Sequence, residues 1–451
     1  MNRNKLFFER YRNLKAFLFV LISLIFYGYI HRGVIGVNYE ALLGLILLLG
    51  LYVVYKTSFK EINRFIVVWG SVILFYWLMT LIATIYHGPI GDRALTVLNV
   101  THTIFPFFFL LLVLVYLKPS IDYFWYLIGV ATFIIIYLLY LEISAAGWDA
   151  LLAGKRIGGV YSNSVKLGVF ANSFFIILLG SLPWAFKKGK LFFTGWCALI
   201  VTDFLGVVFI QTRTAWIGWP EAIIGWGLYY FYMLRHKIRL NKNIKLIIFI
   251  VPFIVLWGIF SIEQVKTVVD KRVTAAYSNV GDYFAGQTFQ TSVGKRILGY
   301  EAALVGIKSS PWIGIGEDAF PEFQKQMTVK LGIEKFNEKT SGFEFTHIHN
   351  QFLMSWLTKG VFSFLSVVLI FAFLIWYFTR GLQKSTFENK PIWIAGLVFS
   401  VASLLSFLPE TPLQKSDTST HFFLLSTLLI AFSILTEQRQ NKLNSEEMDK
   451  E

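Results

Sequence analysis

The chain is 451 residues long, 56% hydrophobic and only 15% charged, with 45 Phe, 21 Tyr and 14 Trp and a mean hydropathy of +0.60. A water-soluble fold of this length could not hide so much apolar surface, and the hydrophobic residues come in blocks of about 20, long enough to cross the ~30 Å hydrocarbon core of a bilayer. The net charge of +14 does not point to nucleic acid, because the basic residues gather in alternate short loops, where they set membrane topology.

The pattern predicts an all-α polytopic membrane protein with about twelve transmembrane helices. In chain order they fall near residues 14–31, 39–55, 64–86, 100–117, 121–143, 166–186, 191–210, 214–233, 244–262, 351–378, 391–409 and 420–436. Arg3, Lys5, Arg10, Arg12 and Lys15 precede the first block without a small-residue cleavage site, so it reads as an uncleaved first helix rather than a signal peptide. Lys56, Lys60 and Arg64, then Lys187, Lys188 and Lys190, then Arg235, Lys237, Arg239, Lys242 and Lys245, then Arg380, Lys384 and Lys390 fill alternate loops. By the positive-inside rule these loops and both termini face the cytoplasm, and the loops at 144–165, 211–213 and 263–350 face the other way. The organisation expected is nine transmembrane helices in 1–262, one long external loop at 263–350, and three helices with a cytoplasmic tail in 351–451.

The long loop carries as many acidic as basic residues and reads as helical pieces. Gly294–Lys308 forms one and stops before Ser310-Pro311, Trp312 to Gly316 is a glycine-rich turn, and Glu317–Val329 is again amphipathic. No internal repeat relates the two halves, which weakens a secondary-transporter reading. The single cysteine, Cys197, lies inside a span and reads as a small buried apolar residue, leaving no intramolecular disulfide to look for. Three acids fall within spans and are functional candidates on that ground. Glu142 is expected to be a solvated helix end. Glu221, just after Pro220, either pairs with an arginine or satisfies a helix break, and Asp203 is open in the same way.

The alternation brings Arg156, Arg213, Arg296 and His349 to one side of the membrane. Arg213, in Gln211-Thr212-Arg213-Thr214-Ala215-Trp216, has almost no loop around it. A guanidinium so poorly hydrated pairs well with phosphate or carboxylate, or simply snorkels to the interface. Arg296 begins a helix, where free amides and the dipole favour an anion; alternatively it is a solvated surface arginine. Lys155-Arg156-Ile157-Gly158-Gly159-Val160-Tyr161-Ser162-Asn163-Ser164 offers cations, glycines and Asn163 to a phosphate or sugar, or anchors the chain at the interface. His349, at the lip of a span, has a side chain suited to general-base work near neutral pH, and Asn350 orients a substrate or caps the next helix. His347-x-His349 also suggests a metal, but two ligands without a clear third partner leave no metal and no cofactor expected.

Taken in order, Gln211-Thr212-Arg213, the Gly294/Arg296/Tyr300 helix leading to Ser310-Pro311, and Phe343-Glu344-Phe345 followed by His347, His349 and Asn350 resemble the O-antigen ligase family of Gram-negative inner membranes. More loosely they are similar to the wider superfamily of O-antigen polymerases and protein O-oligosaccharyltransferases. His349, Asn350 and Gly360 fit the family signature, while Ser363 stands where glycine, threonine or tyrosine is usual. The likeness covers roughly residues 150–380. It implies a glycosyltransferase of lipopolysaccharide biosynthesis with its long loop and active site facing the periplasm. The donor would be O-antigen polysaccharide on undecaprenyl diphosphate and the acceptor a sugar hydroxyl of lipid A–core, with membrane lipids as the other partners. By the same resemblance His349 is the catalytic base and Arg213 and Arg296 hold the diphosphate. Arg156, Asn163, Tyr300, His347 and Asn350 are further substrate contacts, and the transfer is a single metal-free inverting displacement. The alternatives are an O-antigen polymerase using the same donor, a protein O-oligosaccharyltransferase, and a non-enzymatic polysaccharide transporter or flippase.

Overall fold

A computed structural model describes residues 3–31, 38–56, 63–152, 157, 160, 162–236, 261, 263–336 and 347–448. Among these the regular structure is helical, without strands. The first half holds α1 (Arg3–Ile30), α2 (Tyr39–Lys56), α3 (Arg64–Tyr86), α4 (Asp92–His102), α5 (Phe105–Leu117), α6 (Ile121–Ala146), α7 (Trp148–Leu152), α8 (Ser164–Leu178), α9 (Leu182–Lys187), α10 (Lys190–Ile210), α11 (Arg213–Trp216) and α12 (Trp219–His236). Then follow α13 (Glu263–Phe284), α14 (Ser292–Ser309), α15 (Phe320–Phe336), α16 (Gln351–Lys359), α17 (Val361–Lys384), α18 (Lys390–Phe407) and α19 (Ser416–Met448).

Among the described residues ten helical segments are long and apolar enough to cross a membrane, and the protein is an all-α, multi-pass membrane protein. These ten match ten of the expected spans. The span expected at 214–233 is the helix α12, which carries Glu221 and Arg235, and the one at 244–262 falls almost wholly outside the described residues.

Three expected spans are broken. The 100–117 block divides into α4 and α5, with Pro106 in the first turn of α5, a position where its missing N–H costs nothing. The 166–186 block passes through a 3₁₀ turn at Leu179–Ser181 before Pro183 opens α9. The 351–378 block is α16 and α17, parted at Gly360. There φ is +81° and an added Cβ would stand 2.0 Å from the Trp312 carbonyl oxygen, so only glycine meets both demands. Backbone bonds from Ile315 to the Leu357 carbonyl (2.8 Å), Gly316 to Thr358 (3.1 Å) and Val361 to Pro311 (3.0 Å) bind the glycine-rich turn along the end of α16.

The final span is longer than hydropathy indicates. Its polar opening, Ser416 to Ser419, falls before the expected start at 420, yet it is helical and mostly buried because other helices supply partners. Tyr39 donates to Ser416 Oγ (2.8 Å), Tyr29 meets His421 Nδ1 (2.9 Å), and Lys166 forms an ion pair with Asp417. Glu142 also departs from expectation. It is fully buried and accepts from the Val160 (3.0 Å) and Ser162 (2.7 Å) amides, so it anchors the connection into α8 rather than ending a helix in solvent.

A single apolar cluster runs through the bundle, with α2 against α5, α8 against α10 and α6, and α17 against α18 and α3. Where lipid is the solvent, close packing replaces the hydrophobic effect as the force between helices. At the α17–α18 contact Gly381 receives the Trp393 ring and Gly396 receives Phe378, a reciprocal fit of small against large.

Glu317 ties the long segment between α12 and α16 to this bundle. Its carboxylate takes Lys359 at 3.3 Å and Arg93 at 3.4 Å, the Thr358 hydroxyl at 2.9 Å and the Gln414 amide at 3.3 Å. Asp318 beside it accepts from the Gly91 (2.9 Å), Arg93 (3.1 Å) and Ala94 (3.2 Å) amides, capping α4 from another part of the chain. The helices around His349 are therefore held by contacts reaching back to α4.

Candidate active site

Two helix starts and one loop build the histidine side of the site. Thr291 caps α14 by accepting from the Gly294 amide (3.0 Å), and Arg296 lies in the next turn. Asn350 caps α16 by accepting from Leu353 (2.9 Å), and His349 precedes it with φ +58°. Histidine is among the residues that enter this left-handed region more readily, but such a conformation costs about 1–3 kcal/mol and persists only where the surroundings enforce it. Here the Tyr300 hydroxyl donates to the His349 carbonyl (2.8 Å) and reaches the Leu408 carbonyl (3.3 Å). Gln351, buried at the start of α16, accepts from the Leu413 amide (2.9 Å). These bonds pin the loop between α18 and α19 against His349.

That loop delivers Glu410. One carboxylate oxygen meets Arg296 at 3.0 Å; the other lies 3.4 Å from His349 Nδ1 and 3.9 Å from His347 Nε2. The imidazoles themselves are 4.2 Å apart at 50°. Burial alone would raise the Glu410 carboxyl, but the contacts with His347 and His349 and the charges of His349 and Arg296 outweigh it and hold it down at about 2. His347 is pushed below the ordinary histidine value, first by burial and then by the charges of His349 and Lys415, against the pull of Glu410. Glu410 is thus a lasting anion between a fixed guanidinium and two imidazoles, an arrangement that stabilises positive charge arriving on a ring.

These groups open on a cavity of about 120 Å³, far above the ~10–15 Å³ that one water needs. Residues of α8 and α19 also line it. Asn163 caps α8, accepting from Val165 (2.9 Å) and Lys166 (3.4 Å). Lys166, Thr411, Lys415 and Thr418 complete the lining.

Of the residues singled out from sequence, Asn163, Arg296, His347 and His349 share this cavity. Arg213 is absent from its lining: it donates to Ser292 Oγ (2.9 Å), one helical turn before Arg296, while its neighbour Thr212 donates to the Ser164 carbonyl (2.9 Å). Arg213 therefore flanks the site at the starts of α14 and α8. Asn350 and Tyr300 spend their polar atoms on the cap and the loop. Arg156 and Phe343-Glu344-Phe345 lie outside the described residues. Asp203 is wholly buried with neither carboxylate oxygen hydrogen-bonded, Glu221 pairs with no arginine among the described residues, and neither lines the cavity.

Sequence reasoning missed Glu410, Lys166 and Lys415. Glu410 had a signal: the alternation that puts His349 outside also puts the loop before the last helix there, and Glu410 is its acid. With His347 and His349 it offers ligand atoms all within 4.8 Å of one another, the third group a metal reading lacked. Two histidines and a carboxylate suit zinc, yet Arg296 already occupies Glu410 and Lys415 adds a second cation beside it. A dication there would face two fixed positive charges with one carboxylate to offset them, so the donor set fits an anion better.

Residues 198–368 match the O-antigen ligase family. The stretch that is similar to this family includes Arg213, Arg296, His347, His349 and Gly360 and stops short of Glu410 and Lys415; Lys166 precedes it. An uncharacterized protein of Haemophilus influenzae is 30% identical over 211 residues, which make up 47% of this chain and 50% of that protein. The chain thus spans about half the length of this relative.

Proposed function

We propose that this protein is an O-antigen ligase of a Gram-negative inner membrane, joining O-antigen polysaccharide from undecaprenyl diphosphate to a sugar hydroxyl of lipid A–core on the periplasmic side. The observation that carries the reading is His349, held in a strained backbone conformation beside Glu410 and Arg296 at a cation-lined cavity, in a stretch similar to the O-antigen ligase family. His349 takes the acceptor hydroxyl proton as that oxygen attacks the anomeric carbon. Glu410 offsets the charge of the imidazolium so formed. The bond from the anomeric carbon to the phosphate oxygen breaks on the opposite face, its electron pair leaves with undecaprenyl diphosphate, and the configuration inverts. Cations fixed around the leaving group stabilise it without reorganising during the step, and Arg213, at the flank, acts on the approach of the donor.

The test is a lipopolysaccharide gel from the host lacking this gene, complemented with wild type or His349→Ala, together with an assay of lipid-linked glycan. The deletion should lose its ladder while long polymer accumulates on undecaprenyl diphosphate. His349→Ala should fail to restore the ladder, its transfer rate falling on the order of 10²–10⁴. A ladder restored by His349→Ala sinks the base assignment. Core carrying a single repeat in the deletion strain would move the assignment to a polymerase.

A further inference from the structure

We infer that the donor diphosphate is received within this cavity by Lys415 and Lys166, at the first turns of α19 and α8. This rests on the reading of the chain as a user of a lipid-linked diphosphate donor.

The cations are the first ground. Lys415 is half-buried and lines the cavity, yet among the described residues its ammonium has neither an ion pair nor a hydrogen bond. Beside it stands a second cation, Lys166, close enough for their charges to oppose one another. Three fixed cations, Lys415, Lys166 and Arg296, share this space with two acids, and although Glu410 and Asp417 both attract Lys415, they are paired with Arg296 and Lys166. That costs stability unless an anion is bound there in the working state. The second ground is Thr411. It lines the same cavity, is 3% exposed, and its hydroxyl has no hydrogen-bond partner, so it is a donor waiting for an acceptor. The third is the backbone: Val165 and Lys166 lie in the first turn of α8, and Lys415 and Thr418 flank the start of α19, so two helix dipoles direct their positive ends toward the same space. Glu410 and Asp417, the acids nearby, are already engaged by Arg296 and Lys166.

Lys415, Lys166 and Thr411 line the same cavity as His349, so a diphosphate held by them shares the space in which His349 acts. As the anomeric carbon–oxygen bond breaks, the new negative charge on the phosphate oxygen develops against Lys415, and Lys166 is shared between Asp417 and the second phosphate. All three residues lie outside residues 198–368.

The experiment is calorimetric titration of the purified full-length protein in lipid nanodiscs with inorganic pyrophosphate, alongside thermal unfolding of each variant without ligand. Wild type should bind. Lys415→Met should weaken binding about tenfold or more, the size of one charge-assisted contact, with an unfolding midpoint equal to or above wild type because no partner is orphaned. Lys415→Arg should stay near wild type, and Arg213→Met should lose less than Lys415→Met. Undiminished pyrophosphate binding by Lys415→Met overturns the assignment, as does a loss confined to Arg213→Met or a wild type that does not bind. If binding follows Lys415 while the deletion strain keeps its full ladder, the anion site stands and the ligase reading fails.

Discussion

Two buried glutamates, Glu317 and Glu410, face similar cations and do different work. Glu317, whose side chain is 2% exposed, meets Lys359 and Arg93 and takes further bonds from Thr358 and Gln414. Its partners are a lysine, an arginine, a hydroxyl and an amide, with no imidazole among them. Glu410 is 12% exposed, and beside Arg296 it meets two histidines at 3.4 and 3.9 Å. A carboxylate fully taken up by such donors makes a joint, whereas an anion facing two imidazole rings makes a place for proton transfer. The two are coupled, since Gln414, which donates to Glu317, lies on the same short loop as Glu410.

The contrast is broken most severely at Glu317. Glu317→Ala strands the Lys359 ammonium, whose side chain is 1% exposed, and removing one partner of such a pair typically costs about 3–5 kcal/mol. Thermal unfolding in nanodiscs should show a large drop in midpoint and folded yield. Glu317→Met combined with Lys359→Met should regain most of it, because apolar replacement of both charges is often neutral. Wild-type stability in Glu317→Ala alone would mean that the joint holds nothing.

Glu410→Gln should do the reverse, sparing the fold more than Glu317→Ala and damaging turnover. A hydrogen bond to a charged group is worth about 1.5–3 kcal/mol, so the transfer rate should fall roughly 10- to 150-fold. Glu410 remains ionised down to about 2, so the acid limb of the rate profile reports a ring rather than the carboxylate, and His347 is held below the ordinary histidine value by burial against the pull of Glu410. The carboxylate favours the charged ring, and its removal should move that acid limb to lower pH. An unmoved limb with full activity would reduce Glu410 to a second joint.

What was legible in the sequence divides along the same line. Hydropathy located the spans, and His349, Arg296 and the helix between Gly294 and Lys308 were readable because each sits in a short local pattern. Gly360 was readable as a motif glycine but not as a break, since its cause is the Trp312 carbonyl, a contact between segments far apart in the chain. Glu142 reads as a frayed end until the Val160 and Ser162 amides fold back onto it. Ser416 to Ser419 falls outside the expected span because the groups that let it be helical, Tyr39 and Lys166, come from two other helices. Local periodicity reports the solvent a residue expects; it does not report polar partners that arrive from elsewhere in the chain.

The smallest effect tests whether the strain at His349 is maintained by the contact that touches it. The Tyr300 hydroxyl donates to the His349 carbonyl at 2.8 Å, and the backbone it steadies sits at φ +58°. Tyr300→Phe keeps the ring, the packing of α14 and the Arg296–Glu410 pair, and removes one neutral hydrogen bond worth about 0.5–1.5 kcal/mol. If that bond only positions His349, kcat should fall roughly two- to tenfold with the donor KM unchanged, as an interaction that aligns the base without binding substrate requires. No change would leave the strain to the Asn350 cap and the α16 packing alone. A fall as deep as that of His349→Ala, or a rise in donor KM, would mean that the Tyr300 hydroxyl leaves the carbonyl and contacts the donor itself.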